Sequence, residues 1–310
     1  MFNQSKPFLN IDLYRSDRPL MRAVEAFGGL EHEKKIAAFG RSAGTACMFR
    51  VAELAEENKP VLHQFDAYGR RLDEVEYHPS YHLLMNHGIS AGCAAFGHNT
   101  ATPAGHVARA AILIMENQLE PGHCCPITMT SAAVPVLRQD PGCSEWLGKV
   151  LSQAYDPSDR PLGEKTGCIL GMSMTEKQGG SDVRSNTTVA RPAIDGVSGA
   201  GSGYLLRGHK WFTSAPMSDG FLTLAQTSAA DGDARGAGAA PSCFLVPRYL
   251  PDGTRNTGFQ VQRLKNKLGD RANASRSVGG VARSHGVVST CFVSAVVAWA
   301  LFDFVFCSVL

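Results

Sequence analysis

An α+β fold is what this 310-residue sequence predicts: a helical first part followed by an antiparallel sheet or small barrel. Three observations carry that expectation. Apolar residues recur at helical spacing from about Ser16 to Ala154, and short apolar runs alternate with turn residues from about Thr166 to Ala274. The composition, 44% hydrophobic and 19% charged, supplies real cores and rules out a solvating, disordered chain, since charged residues usually reach about 25%. At roughly 150 residues per domain the length suits two domains.

The helical pattern begins with Leu30, Ile36, Ala37 and Phe39 and resumes at Met48, Val51, Ala52 and Leu54. Residues 57–60 then stop it, because Pro60 cannot continue a helix. Tyr81, Leu84, Met85 and Ile89 make another stripe. Val107, Ala110, Ala111, Leu113, Ile114 and Met115 make a third, wide enough to be buried on most sides. A bundle-like helical domain over residues 1–165 follows. In residues 166–275 the apolar runs are 168–174, 187–190, 204–207, 222–226, 243–246 and 259–261. Gly179-Gly180-Ser181-Asp182, Asp195-Gly196 and Pro251-Asp252-Gly253 punctuate them, as between short antiparallel strands. Residues 229–240, rich in Ala, Gly and Asp, read as a mobile loop. Residues 199–203 read as another, without the spacing of a dinucleotide-binding glycine fingerprint.

Several functions are disfavoured by what the sequence lacks. Thirty Lys and Arg against 28 Asp and Glu give a net charge of +2 with no long basic run, so nothing supports a nucleic-acid partner. Nine Cys without a C-x-x-C pair argue for reduced thiols over disulfides or a zinc ribbon. The ten His show no metal-ligand spacing; His78 and His82 lie four apart, but Pro79 between them favours a structural role. Residues 163–166 lack the spacing of a phosphate loop. The opening residues carry no recognisable address, which suggests the cytoplasm. Residues 287–310 contain one charge, Asp303, and meet the roughly 20-residue length of a membrane span, so a tail-anchored chain is the alternative.

Two stretches carry candidate chemistry. In residues 171–182 a strand runs into a glycine-rich turn that ends in Ser181 and Asp182. Consecutive backbone N–H groups there suit an anionic phosphate, with hydroxyls from Thr175 and Ser181; a plain β-turn capped by Ser and Asp is the other reading. In residues 208–214, Trp211 and Phe212 could stack on a planar ring, or simply fill a core.

Taken together, M-T-E-x-Q-G-G-S-D at residues 174–182 and G-x-K-W-F at residues 208–212 resemble the flavin-binding middle domain of the acyl-CoA dehydrogenase superfamily, in its AidB-like, alkylation-response branch. Residues 125–130, 183–188, 244–253 and 264–275 support the likeness, as do Asp73-Glu74-Val75 and His78-Pro79; it extends over about residues 2–275. The resemblance implies a helical N-terminal domain, an antiparallel β-barrel middle domain and FAD as cofactor. It implies that Met172, Met174, Thr175, Gly180 and Ser181 line the flavin and its pyrophosphate. Trp211, Phe212, Thr213 and Ser214 would flank the ring, with Thr213 near the redox-active nitrogen, and Cys125 would pack near the pocket. An acyl-thioester substrate, oxidation of a CH–CH bond and a homo-oligomer belong to the same family picture.

Residues 276–310 depart from it. The family's C-terminal four-helix bundle carries the catalytic carboxylate and much of the subunit interface, and it has no counterpart in this apolar tail. The sequence therefore offers no catalytic base, and Glu176, inside the flavin motif, is not one. A frameshift or misassigned exon near residue 276, a truncated isoform with a membrane anchor, and an apolar segment packed on the barrel are the three origins open to the tail. Activity is doubtful on this reading, and a non-catalytic binding or scaffold fragment is the rival.

Overall fold

The computed structural model describes residues 2–199, 201–227, 241–280 and 289–291. The loop expected at 229–240 lies outside the described residues, as does the apolar stretch 287–310 apart from residues 289–291. Among the described residues no helix is long and apolar enough to cross a membrane.

The chain opens with α1 (Leu13–Ser16), α2 (Arg18–Ala26), α3 (Glu33–Ala43) and α4 (Ala46–Glu57). Side chains that accept otherwise unpaired backbone N–H groups set their starts: Asp12 for α1, Asp17 for α2 and Thr45 for α4. There follow β1 (Val61–Phe65), β2 (Arg71–Glu76), α5 (Pro79–Ala91), α6 (Phe96–Asn99), α7 (Ala104–Leu119), α8 (Cys124–Leu137) and α9 (Ser144–Val150). His78 caps α5, its Nδ1 accepting from Ser80 N, and the His82 ring bonds the Tyr155 hydroxyl. Each histidine is thus engaged by a neighbour in the described fold. Tyr14, Ile36, Leu84, Met85, Ile112, Met115 and Ile127 form the fully buried centre of this part.

One element departs from the helical expectation. β1 and β2 form an antiparallel hairpin with Leu62 opposite Val75, closed by Asp66, whose carboxylate accepts from Tyr68 N and Arg70 N. Its supporting contacts are remote in sequence: Gln64 donates to Val261 O, and Asp73 accepts from Val261 N. Local periodicity carries no trace of such support.

The second part holds β3 (Leu170–Ser173), β4 (Val189–Pro192), β5 (Tyr204–Ser214), β6 (Gly220–Thr227), β7 (Ser242–Pro247), β8 (Val261–Leu264), β9 (Ser275–Gly280) and β10 (Ser289–Cys291). They form one curled sheet in the order β10-β7-β6-β4-β5-β9-β8, with β3 also paired to β6. The sheet is mixed, which corrects the antiparallel expectation: β3 and β4 both run parallel to β6. Parallel pairs need long crossovers, and the chain between β3 and β6 is long enough to supply them. β4 and β5 instead pair antiparallel, and the chain between them includes the turn at Asp195-Gly196, with Gly196 at φ +77°, where a Cβ would be strained. The boundary expected at Ser275 falls on the first residue of β9.

α8 joins the two parts. The Thr130 hydroxyl accepts from Leu170 N and donates to Pro126 O. Met129, Ala133 and Val134 of α8 share a core with Leu170, Met172 and Leu222 of the sheet. The helix thereby fixes the strand that leads into the glycine-rich turn.

Candidate functional site

β3 ends at Ser173, and the chain continues through Met174 and Thr175 into a tight turn in which Glu176 and Gly179 exchange both backbone hydrogen bonds. β5 docks beside it, Trp211 N donating to Thr175 O at 2.9 Å. The two candidate stretches therefore meet at Thr175. Gly180 folds back over the same residue: a Cβ at Gly180 would lie 2.8 Å from Thr175 Oγ1. Only glycine permits that approach without a shift.

The turn is held from inside by Glu176. Its carboxylate is buried and accepts from Lys210 Nζ at 2.8 Å, from Gln178 Nε2 at 2.8 Å, and from the backbone and hydroxyl of both Thr187 and Thr188. Burial works to raise this carboxyl, but the bonds from Lys210, Thr188, Gln178 and Thr187 override it and hold it well below the usual carboxylate range. Lys210 is buried in turn, and desolvation lowers its pKa against the pull of Glu176. A carboxylate so fully engaged has no free lone pair with which to take a proton from a substrate, which fits its exclusion as a base.

A bulge in β5 decides which side chains face outward. Lys210 pairs with Val278 and Thr213 with Arg276, so β5 uses one residue more than β9 between these points. Strict alternation would send one of Trp211 and Phe212 inward. The extra residue leaves Lys210 and Thr213 buried with both aromatics between them, Trp211 half-buried and Phe212 44% exposed. The two rings meet edge to face with centroids 6.1 Å apart.

The predicted site residues thus divide between two layers. Met174, Thr175, Gly180 and Trp211 are half-buried around the Thr175 junction, with Ser181 and Phe212 exposed, and Ser214, also half-buried, ends β5 with its hydroxyl against that of Ser275. Met172 and Thr213 lie beneath them. Met172 packs in the core shared with α8, and Thr213, fully buried, shares a 2.7 Å hydroxyl bond with Ser173. Cys125 of α8 reaches the same neighbourhood, its thiol hydrogen-bonded to Ser214, and burial raises its pKa. It is a poor nucleophile there. The Glu176–Lys210 pair and the bulge have no counterpart among the sequence expectations; a charged pair separated by 34 positions has no local signature.

A second concentration of titratable groups lies at the α7–α8 junction. His123 is fully buried and donates to Glu116 at 2.8 Å and to Glu120 at 3.0 Å, while His87 donates to the other Glu116 oxygen at 2.8 Å. Burial opposes the charge on His123, yet Cys124, Glu116 and Glu120 hold its pKa well above the usual value. These groups satisfy one another inside the helical core, so they serve the fold. Among the described residues no group of His, Cys, Asp and Glu is arranged to hold a metal.

A helical part set against a curled mixed sheet, with a glycine turn and an outward aromatic pair at one junction, makes a two-part α+β architecture. Residues 3–157 match the adaptive response protein AidB N-terminal domain, and residues 171–279 match the acyl-CoA dehydrogenase middle domain. The putative acyl-CoA dehydrogenase AidB of Escherichia coli strain K12 is 46% identical over 285 residues, covering 90% of this chain and 49% of that protein. Acyl-CoA dehydrogenase family member 11 of Caenorhabditis elegans is 30% identical over 277 residues, covering 87% of this chain and 43% of that one. The chain belongs to the acyl-CoA dehydrogenase family, in its AidB branch. It spans about half the length of these curated relatives. The crystal structure of Caenorhabditis elegans ACDH-11 in complex with C11-CoA shares the fold at a TM-score of 0.80 and 24% identity, over 99% of this chain and 51% of that one.

Proposed function

We propose that this chain is the flavin-holding part of an acyl-CoA dehydrogenase-type oxidoreductase, with FAD seated at the Thr175 junction. The single observation that carries the reading is the bulge that turns both Trp211 and Phe212 outward beside the Gly180–Ser181 turn. The donor set fits a flavin. An aromatic pair offers a stacking surface, Thr175, Ser181 and Ser214 offer hydroxyls, and Gly180 keeps the backbone free of a side chain where a phosphate would approach. On this reading Met174, Thr175, Gly180, Ser181, Trp211, Phe212 and Ser214 contact the cofactor. Met172 and the Ser173–Thr213 bond support the two strands from beneath. When bound, FAD supplies a hydride acceptor for oxidation of a Cα–Cβ bond in an acyl thioester. The chain's own residues position and stack the ring, and Glu176 locks the turn without entering proton transfer. Residues outside this chain's half of the family length would supply the base.

The test is flavin occupancy of the purified chain. Wild-type protein should be yellow, with flavin absorbance in proportion to protein. Thr175→Val combined with Trp211→Ala should lower occupancy several-fold while the circular dichroism spectrum stays unchanged. Equal occupancy in the folded double variant would place the flavin elsewhere, and a colourless wild type that takes up no added FAD would sink the proposal.

A further inference from the structure

Three cationic side chains surround the outward aromatic pair. Lys177 Nζ lies 5.9 Å and Arg263 Cζ 5.8 Å from the Trp211 ring centroid, and Lys265 Nζ lies 4.5 Å from that of Phe212. They come from two separate places, the glycine turn and the β8 strand with its following residue, and all three are exposed. Among the described residues none of them has an ion-pair partner. The carboxylate next to Lys177 in sequence, Glu176, is consumed by Lys210 and the two threonines. The local positive charge is therefore uncompensated. The His209 ring lies 6.0 Å from Trp211; burial, then the charge of Lys177, lowers its pKa against the pull of Glu176.

An exposed ammonium or guanidinium over an aromatic face gains too little to hold a flexible side chain against a stronger partner. A phosphate is such a partner, through charge-assisted hydrogen bonds. We propose that Lys177, Arg263 and Lys265 form a cationic rim that holds the phosphate groups of the flavin cofactor whose ring stacks on Trp211 and Phe212. This rests on the flavin reading above and adds to it the residues that tell a phosphorylated flavin from an unphosphorylated one. On this proposal the three cations exchange their aromatic contacts for charge-assisted bonds to the phosphate.

The experiment titrates the full apo-chain with riboflavin, FMN and FAD, followed by flavin fluorescence, at low and high salt. The wild type should bind FMN and FAD more tightly than riboflavin, and only the phosphorylated pair should weaken with salt. In the triple variant Lys177→Gln, Arg263→Gln, Lys265→Gln, FMN and FAD should lose about tenfold in affinity, since each exposed charge contributes a few-fold. Riboflavin affinity should stay within about threefold of wild type. The three exposed side chains can be changed with little effect on the fold, which unfolding midpoints would check. If riboflavin binds as tightly as FMN in the wild type, or if the folded triple variant keeps full FMN and FAD affinity, the rim assignment fails while the flavin site stands. Coenzyme A binding that is lost in the triple variant while FAD binding persists would assign the rim to the thioester's phosphates and overturn the proposal. No binding of any flavin overturns the cofactor reading itself, and the rim with it.

Discussion

Glu176 and Lys210 show how a single pair can organise a turn without catalysing anything. Both are buried, and each is tolerable there only because the other is 2.8 Å away. Lys210→Met should therefore cost about 3–5 kcal/mol of stability in urea unfolding, because it leaves a buried carboxylate with no counter-charge. Adding Glu176→Gln to that variant should restore part of the loss, and a double variant no better than the single would show that the charge is not the cause. The lowered pKa of Glu176 gives the sign of its acid dependence: the stability it contributes is complete above the ordinary carboxylate range and is lost as pH falls toward the lowered value. A milder acid response belongs to His98. Burial, then the charges of His106, Arg109 and Arg138, bring its pKa from 6.5 to about 4, so folding favours the neutral ring. That contribution is whole above pH 6.5 and is lost as pH falls toward 4. The unfolding temperature should decline across this window, and less steeply in His98→Gln, whose amide can still donate to Ser131 O as the ring does at 3.0 Å.

At the scale of the element, the bulge in β5 sets the chemistry of the site, and it tests cleanly. Deleting Phe212 removes the extra residue and returns β5 to plain alternation, with Lys210 and Thr213 still facing inward and Trp211 still outward. The chain should fold, with a thermal midpoint within several degrees of wild type, and should lose flavin affinity because half of the stacking surface is gone. A deletion variant that fails to fold would make the bulge a structural necessity of the sheet instead. The same element marks the limit of what the sequence discloses. The strand from Tyr204 and the turn at Asp195-Gly196 are legible, since turn chemistry is a local property, while the glycine turn and the Trp-Phe motif are linked in the sequence only through the family resemblance. The bulge is not legible, because it depends on the register against β9, far along the chain. Nor is the parallel course of β3 and β4 beside β6, which is decided by how crossovers pack and not by any run of residues. The β1–β2 hairpin escapes for a related reason: it is stabilised through Val261, and its own short strands sit among helices that dominate the pattern.

For the whole molecule the question is whether the helical part and the curled sheet unfold as one. Thr130 of α8 binds Leu170, the hairpin binds Val261, and Glu56 near the end of α4 reaches the loop before β9. The last of these joints is the most open to test. One Glu56 oxygen accepts from Arg271 N at 2.6 Å and Ala272 N at 3.1 Å, and the other accepts from Arg271 Nε at 2.9 Å. The salt bridge alone would count for little, because Arg271 is 40% exposed and water screens it. The backbone N–H groups matter more, since two donors in a half-buried seam lose their acceptor together. Glu56→Ala should therefore cost about 1–3 kcal/mol, and Glu56→Gln, which keeps one carbonyl acceptor, should cost less. Hydrogen exchange locates the effect. If Glu56 ties the loop to α4, the Arg271 and Ala272 amides should exchange faster in Glu56→Ala, while amides in α7 and β6 keep wild-type protection. Unchanged exchange at those two positions would mean that the sheet orders the loop by itself, leaving α8 and the hairpin to couple the two parts. The loop leads directly into β9, the partner against which the β5 bulge is registered. Loosening it should consequently lower flavin affinity as well, although Glu56 lies on a different element from the Trp211–Phe212 pair.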